Sequence, residues 1–552
     1  MILKKHSYSN GVVFLLILLS FLTPLIAHGQ TIADKYYYRV YLKDKGGNNI
    51  NNISLSDLVS QRAVERRKKA GITGADFRDL PVWKEYLNQL TSAGLTLHCT
   101  SKWMNTALFR SKTLFDINSI LVLPFVADVK TVKRPGAKSS FSNKLDFQEL
   151  ADDFTSYDRP ITMVNGYPLH NSGFTGSNVL IAVLDGGFIN VELISSLAHL
   201  RNRKGIKYTF DFVNKSGLVY NSSTHGTAVL SILAGKSDGF LAGTATGADY
   251  LLLKTEDVLS EYPCEEDFWA AGAEFADSLG ADIISSSLGY YNFDDPTLNY
   301  KYSDLDGNTA FVTKAADIAA SKGILVVNSA GNERNNEWQR IIFPSDGDSV
   351  LASSAVQGNN IISSFSSAGP ASDSRIKPDI ATMGVSVPLQ TVNNSVTRGN
   401  GTSFSCPVLS GMAACLIQAV PEAGNFDIIE AIMSSADRFN SPDSLYGYGI
   451  PDMLAALNKL QDKFLRLPED IPLTYPNPTT GDFDIIFREQ TRKIIIEIFS
   501  MTGTMIYRKI YPEYAGRRIH ITELQNHDQG IYLIRTVTDS GTSVQKVIKI
   551  NY

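Results

Sequence analysis

Between Asn178 and Gly331 the chain alternates short β-branched apolar runs with longer segments of helical spacing. In order they are NVLIAVLD, a small-residue segment opening at His225, DYLLLKT, DFWAAGAEFADSLG, ADIISSSLG, TAFVTKAADIAASKG and ILVVNSAG. Strands that alternate with helices pair in parallel, and the helices then have to cover both faces of the sheet. The expected fold class is α/β, a parallel sheet with helices on both faces. Functional groups in such sheets gather at the carboxyl ends of the strands. Asp185, Ser287 and Asn332 all fall there.

A second constraint lies downstream, in RGNGTSFSCPVLSGMAAC from Arg398 to Cys415. Gly-Thr-Ser at the mouth of a small-residue helix sets a hydroxyl where backbone N–H groups and the positive helix end favour a developing negative charge. Ser403 is the candidate nucleophile. A serine alone at a helix start is a cap, so partners have to be found. Asp185 ends VLIAVLD, His225 opens the helix of STHGTAVLSILAG, and Asn332 follows the strand-like GILVVNSAG. A serine hydroxyl is a poor nucleophile at neutral pH, and His225 is the imidazole expected to take its proton. Asp185 would orient that ring and stabilise its charged form. The Asn332 amide and the Ser403 backbone N–H would bind the oxyanion. Singly, these residues read as a strand-end cap, a helix-start residue and a turn former. Together they read as a catalytic set.

The chain order Asp, His, Ser is that of subtilisin and differs from the chymotrypsin and α/β-hydrolase orders. Over roughly Asn165 to Leu460 the chain resembles the subtilisin-like serine proteases (subtilases, peptidase S8 family). Their Asp box reads like VAVLDTG and here is IAVLDGG; their His box resembles HGTHVAG and here is HGTAVLSILAG; their Ser box resembles GTSMSAPHVAG and here is GTSFSCPVLSG. Ala228, Phe404, Cys406 and Val408 depart from the usual histidine, methionine, alanine and histidine, which bears on wall shape and substrate preference more than on chemistry. The resemblance further implies that SSSLGY pairs with extended peptide backbone and NSAGN forms the facing wall. Ser287, Leu288, Gly289, Ser329, Ala330 and Gly331 then frame the pocket for the side chain before the scissile bond. Tyr290 is expected to cap part of that cleft. Strand addition lets such a cleft grip many sequences, since backbone hydrogen bonds supply the binding.

At 552 residues the chain is too long for one core and divides into several units. Residues 1–29 have a basic start, an apolar run and an Ala27-His28-Gly29 exit, and read as a cleaved signal peptide. Residues 30–134 hold strands and helices in alternation, expected to form a small α+β module. By resemblance to secreted Bacteroidetes subtilases this is a propeptide that chaperones folding and occupies the active site. SLSDLVSQRAVERRKKAGI reads as one helix, with Arg66, Arg67, Lys68 and Lys69 on a solvated face. Residues 135–158 are polar and aperiodic, a linker and maturation region. Residues 159–460 are the peptidase domain, and 461–470, with Pro468, a second linker.

Residues 471–552 carry alternating β runs separated by turn signals, a small β-sandwich. Tyr475-Pro476-Asn477-Pro478, Gly481, the MTG and GIYLI segments and Lys546 resemble the C-terminal sorting domain of type IX secretion. That resemblance implies export across the outer membrane, to a secreted or cell-surface location. Spacing alone fits an accessory binding module equally well.

The net charge of −5 suggests no nucleic-acid partner. After signal removal no segment is long and apolar enough to span a membrane. The expected partners are protein or peptide substrates, the chain's own propeptide and the type IX machinery. Cys406 and Cys415, about 13 Å apart if on one helix, are beyond disulfide reach and read as small buried hydrophobes. No cofactor is required for the chemistry. Structural calcium is implied by resemblance without a location, and no metal ligand is assigned: Asp304, Asp306 and Asn308 read as a polar turn because the glycine is misplaced for an EF-hand. Two function classes follow. One is a secreted serine endopeptidase made as a zymogen; the other is a catalytically silent relative acting as a surface binding or adhesion protein. Intact Asp185, His225, Asn332 and Ser403 favour the first. An α/β-hydrolase esterase is disfavoured, because Gly401-Thr402-Ser403-Phe404-Ser405 lacks the closing glycine of a nucleophile elbow.

Overall fold

The structure, a computed structural model, describes residues 36–50, 53–135, 149–150, 156–464 and 472–550. The signal peptide and most of both linkers lie outside the described residues.

The central sheet has seven strands, in the spatial order Ile380–Met383, Val350–Val356, Leu325–Ser329, Ile283–Ser286, Leu180–Asp185, Asp249–Lys254, Ile206–Asp211. Every neighbouring pair is parallel. The order turns around at Leu180–Asp185, which lies between two later strands. Side-chain alternation decides what each face buries. Ile181 and Val183 point into a core shared with helices His225–Ala234 and Thr402–Ala419. Leu180, Ala182 and Leu184 point into the opposite core, with helices Cys264–Leu279 and Phe311–Ser321. Fully buried strands explain the continuous apolar runs, since both faces are covered. Thr402–Ala419 is apolar enough to cross a membrane by length and composition, yet 83% of it is buried, so it is a core helix.

The N-terminal module is a four-stranded antiparallel sheet, ordered Thr96–Ser101, Thr106–Ser111, Tyr36–Leu42, Val126–Lys133, with helices including Gln61–Lys69 and Lys84–Ser92. The expected single helix before Ile72 is two, Leu55–Leu58 and Gln61–Lys69, because Ser60 caps the second by accepting from the Ala63 N–H at 3.3 Å. The sheet seats on helix Cys264–Leu279, and Trp103, Leu108 and Val132 join the core beneath it.

This seat overturns the solvated-face reading of the basic cluster. Lys68 and Lys69 are exposed, but Arg66 and Arg67 are buried. Both guanidinium groups meet Asp277 of the peptidase helix, Arg67 at 2.6 Å. Spacing within one helix reports its apolar stripe; it does not report that a partner carries a carboxylate to its charged side. Arg39 is likewise buried, with Nη2 donating to Asp267 at 2.7 Å and to the Pro263 carbonyl at 2.7 Å, and it lies 3.7 Å over the Phe311 ring. Glu274 accepts from Ser101 Oγ at 2.5 Å and from the N–H groups of Lys102 and Trp103 at 3.0 Å.

His98 sits in the same seam, its Nε2 2.9 Å from the Phe212 carbonyl and its ring 4.9 Å from that of Phe268. Burial depresses its pKa from 6.5 to about 4, with Arg110 and Lys215 adding to the effect and Asp211 opposing it. The ring is neutral while docked and takes up a proton below pH 6.5 once released. Its contribution to docking is therefore complete above pH 6.5 and is lost as pH falls from 6.5 to 4. At pH 5 this one group is expected to weaken docking by about 30-fold. Burial raises the Glu266, Asp267 and Glu274 carboxyls, which act in the opposite sense. Comparing wild type with His98→Phe isolates the histidine: the dissociation constant of the processed propeptide should diverge between the two only below pH 6.5. Parallel pH curves would remove His98 from the account.

The C-terminal unit is two antiparallel sheets, of three and four strands, spanning Leu473–Tyr475 to Gly541–Lys549. It rests on the peptidase domain through Arg517 to Asp462 at 2.8 Å, Arg518 to Glu422 at 2.5 Å and the Ala515 N–H to Ser172 Oγ at 2.8 Å.

Candidate active site

Asp185 is the last residue of its strand and fully buried. One oxygen accepts from the Gly186 N–H at 2.7 Å, and both face His225 Nδ1, at 3.0 and 2.9 Å. A carboxylate on Nδ1 sets the tautomer with the proton there, leaving Nε2 as the basic nitrogen. His225 is 4% exposed and begins its helix, with Ser223 Oγ accepting from its backbone N–H at 3.1 Å. Gly226 is required at the next position: a Cβ there would lie 2.4 Å from the Gly187 carbonyl oxygen, so a larger residue would push the histidine off the aspartate loop.

Ser403 is the second residue of Thr402–Ala419, and of that helix only Ser403, Ile417 and Gln418 are not buried. Its Oγ lies 3.3 Å from the Ser287 carbonyl, and Ser287 Oγ donates to the Ser403 carbonyl at 2.8 Å. Phe404 places its ring 5.9 Å from the His225 imidazole, which brings the serine and histidine helices together. The Asn332 side-chain oxygen accepts from the Thr402 N–H at 2.9 Å and Oγ1 at 3.1 Å. Asn332 also lines the cleft. Asp185 with His225, and Ser403 with Ser287 and Asn332, thus meet at the carboxyl edge of the sheet.

A cavity of about 240 Å³ opens from Ser403 and Asn332. Ser287, Leu288, Gly289, Ser329 and Gly331 line it. Ala330 does not: it is buried, its N–H bonded to the Ser353 carbonyl and its carbonyl to the Ile342 N–H. Tyr290 does not cap the cleft either. It is 1% exposed and turned inward, its hydroxyl on Glu256, because consecutive side chains of an extended segment point to opposite sides. Tyr291 lines the cavity instead. Sequence reading also passed over Asn328, whose Nδ2 donates to the Leu288 carbonyl at 3.0 Å and to Ser345 Oγ at 3.1 Å, tying the two walls together. It passed over Glu256, Glu261 and Glu333 in the lining. Glu333 was adjacent to a recognised residue; Glu256 and Glu261 stand in a loop with no periodicity to mark them.

The cysteines behave as small apolar groups. All four are free, Cys264, Cys406 and Cys415 are buried, and burial pushes the Cys406 thiol up to about 11. Asp306 accepts from the N–H groups of Asn308 and Thr309 and from the Thr309 hydroxyl, the hydrogen bonds of a polar turn.

Fold and cleft together define a serine endopeptidase. The chain belongs to the subtilase family, whose model matches residues 176–449. Residues 37–146 match the peptidase S8 propeptide domain of Bacteroidota, and residues 473–551 the secretion system C-terminal sorting domain. Subtilisin E of Bacillus subtilis (strain 168) is 30% identical over 299 residues, 54% of this chain and 70% of that protein. Subtilisin of Bacillus pumilus is 30% identical over 299 residues, covering 97% of its length and 54% of this chain. Among solved structures, MycP1 from Mycobacterium smegmatis aligns over 56% of this chain and 87% of its own at 22% identity, with a TM-score of 0.45. The sorting domain directs type IX secretion, so the protein is secreted or held at the cell surface. With its propeptide, it is made as a zymogen.

Proposed function

We propose that Ser403, His225 and Asp185 act as the catalytic triad of a secreted endopeptidase that works through an acyl-enzyme. The paired oxygens of Asp185 on His225 Nδ1 carry this reading most directly. His225 Nε2 takes the Ser403 proton as Oγ attacks the peptide carbonyl, and then returns it to the leaving amine. Water repeats the cycle on the ester. Asn332 Nδ2 and the Ser403 N–H donate to the oxygen as it becomes negative, in both halves of the reaction. Ser287 to Gly289, Ser329 and Gly331 flank the peptide before the scissile bond. Protein substrates, the propeptide and the secretion machinery are the partners of this scheme. Its steps use side chains and backbone alone.

The reading is tested by incubating protein from Gln30 onward with a fluorophosphonate probe and mapping the adduct by mass spectrometry. The expected result is one adduct on Ser403 in wild type and none in Ser403→Ala. A folded, propeptide-free wild-type protein that neither labels nor cleaves casein would overturn it.

A further inference from the structure

Three neighbouring strands of the central sheet end in charge. Asp185, Lys254 and Asp211 close Leu180–Asp185, Asp249–Lys254 and Ile206–Asp211, and Lys254 stands in register with both aspartates. Residues in register share a face of the sheet, so all three point to the side on which helix His225–Ala234 packs. Asp185 has a task in the proposed chemistry. The lysine beside it has none, yet it is only 3% exposed. A buried ammonium loses its solvation and persists only where its N–H groups are met. Lys254 Nζ donates to Asp211 Oδ2 at 3.1 Å and to Ser222 Oγ at 3.0 Å.

Asp211 is itself fixed. It is buried, accepts from the Asn214 N–H and side-chain amide, both at 2.8 Å, and its backbone pairs with Ser216 in both directions. Ser222, at the other end of the contact, is exposed and has a φ of +74°. Serine adopts that left-handed conformation at a cost, which has to be met by the contacts around it. The segment it belongs to joins the two halves of the candidate triad. Ser223 Oγ accepts from the His225 N–H at 3.1 Å, and the Ser223 carbonyl accepts from the Ile189 N–H at 3.2 Å. A Cβ on Gly187 would lie 2.1 Å from the Asn221 carbonyl oxygen. Residues 221–223 are thus wedged between the loop that follows Asp185 and the start of the His225 helix, and a shift of this segment moves the imidazole relative to the carboxylate.

We propose that Lys254 is a positioning residue for the hydrolysis: anchored on Asp211, it pins Ser222 and so sets His225 against Asp185. The inference rests on the reading of His225 as the base at Ser403. Lys254 does not line the cavity at Ser403, so it acts through the histidine and not on the peptide. An ammonium suits this place because a charge-assisted hydrogen bond holds the hydroxyl more firmly than a neutral donor, and because the same group satisfies the buried Asp211 carboxylate.

The test uses matured protein and an internally quenched peptide, with active sites counted by fluorophosphonate labelling and melting temperature measured beside kcat and KM. Ser222→Gly removes the hydroxyl from an exposed position and puts there the residue that adopts a positive φ most readily, so the fold is kept. Its kcat per labelled site is expected to fall by about 10- to 100-fold with KM unchanged, because the reacting groups lose their alignment while the binding walls do not. Its melting temperature should stay at or above that of wild type. Lys254→Met should lower kcat by a similar factor and lower the melting temperature too, since the buried Asp211 loses this partner. The double variant should be no slower than the slower single variant. A merely structural contact would instead lower the melting temperature and leave kcat per labelled site unchanged. Wild-type kcat in Ser222→Gly, or losses that multiply in the double variant, would overturn the positioning role while leaving the triad intact. If Lys254→Met yields no folded protein, Ser222→Gly decides alone. Folded, propeptide-free wild type with no labelling at Ser403 would overturn both readings.

Discussion

Ser403→Ala is expected to lower kcat by about 10⁶-fold and His225→Ala by about as much, with the double variant no slower than either, the behaviour known for the triad of subtilisin. The non-additivity follows from the proposed chemistry. The hydroxyl is a competent nucleophile only while an imidazole can take its proton, so removing either partner removes the same step. Asp185→Ala should cost less, about 10⁴-fold, since its carboxylate acts through the His225 ring, 2.9 Å away, and does not touch the peptide. Asn332→Ala should cost about 100- to 1000-fold in kcat with little change in KM, because its Nδ2 meets an oxygen that turns negative only along the reaction path. Single-turnover kinetics on a peptide ester and the corresponding amide would separate these cases. Additive losses in the double variant would show that Ser403 and His225 act in different steps.

Asp277→Ala is expected to weaken docking of the propeptide domain by about 100- to 5,000-fold, the consequence of losing one partner from a buried ion pair. Asp277 lies in the peptidase helix and is fully buried, with Arg66 and Arg67 paired to its two oxygens. Without the carboxylate, two guanidinium groups remain inside the seam. Arg66 keeps the Ala281 carbonyl at 2.6 Å, and Arg67 keeps Asp79 at 2.9 Å. These partners lessen the penalty and set the lower end of the range. Asp277 does not line the cavity at Ser403, so matured enzyme should hydrolyse peptides at the wild-type rate. The measurement is the release rate of processed propeptide, followed by size-exclusion chromatography, beside kcat of the matured enzyme. Wild-type retention of the propeptide would remove Asp277 as its anchor.

Much of the candidate site was readable before any coordinate. Asp185, His225, Asn332 and Ser403 each stand at a strand end or helix start that local spacing reveals, and their types and order suffice to suggest a joint chemistry. The parallel sheet was readable for a related reason: strands covered on both faces have to be apolar throughout, and the helices between them need their own period. Arg66 and Arg67 were not readable. The forces that bury them come from Asp277, more than 200 positions away, and nothing within SQRAVERRKK encodes that carboxylate. Tyr290 and Tyr291 are a similar case at closer range. Either could face the cleft, and only the placement of the Glu256 loop decides that Tyr290 turns in.

The sequence by itself determined the elements, their order and the residue types at the ends of the strands, because hydrophobic period and capping act within a few residues. Tertiary structure alone decided which charges are buried between propeptide and peptidase, and that Glu256, Glu261 and Glu333 converge on one cavity beside Ser403. Burial and electrostatic partnership depend on distance in space, and that distance is set only when separate segments pack against the same sheet.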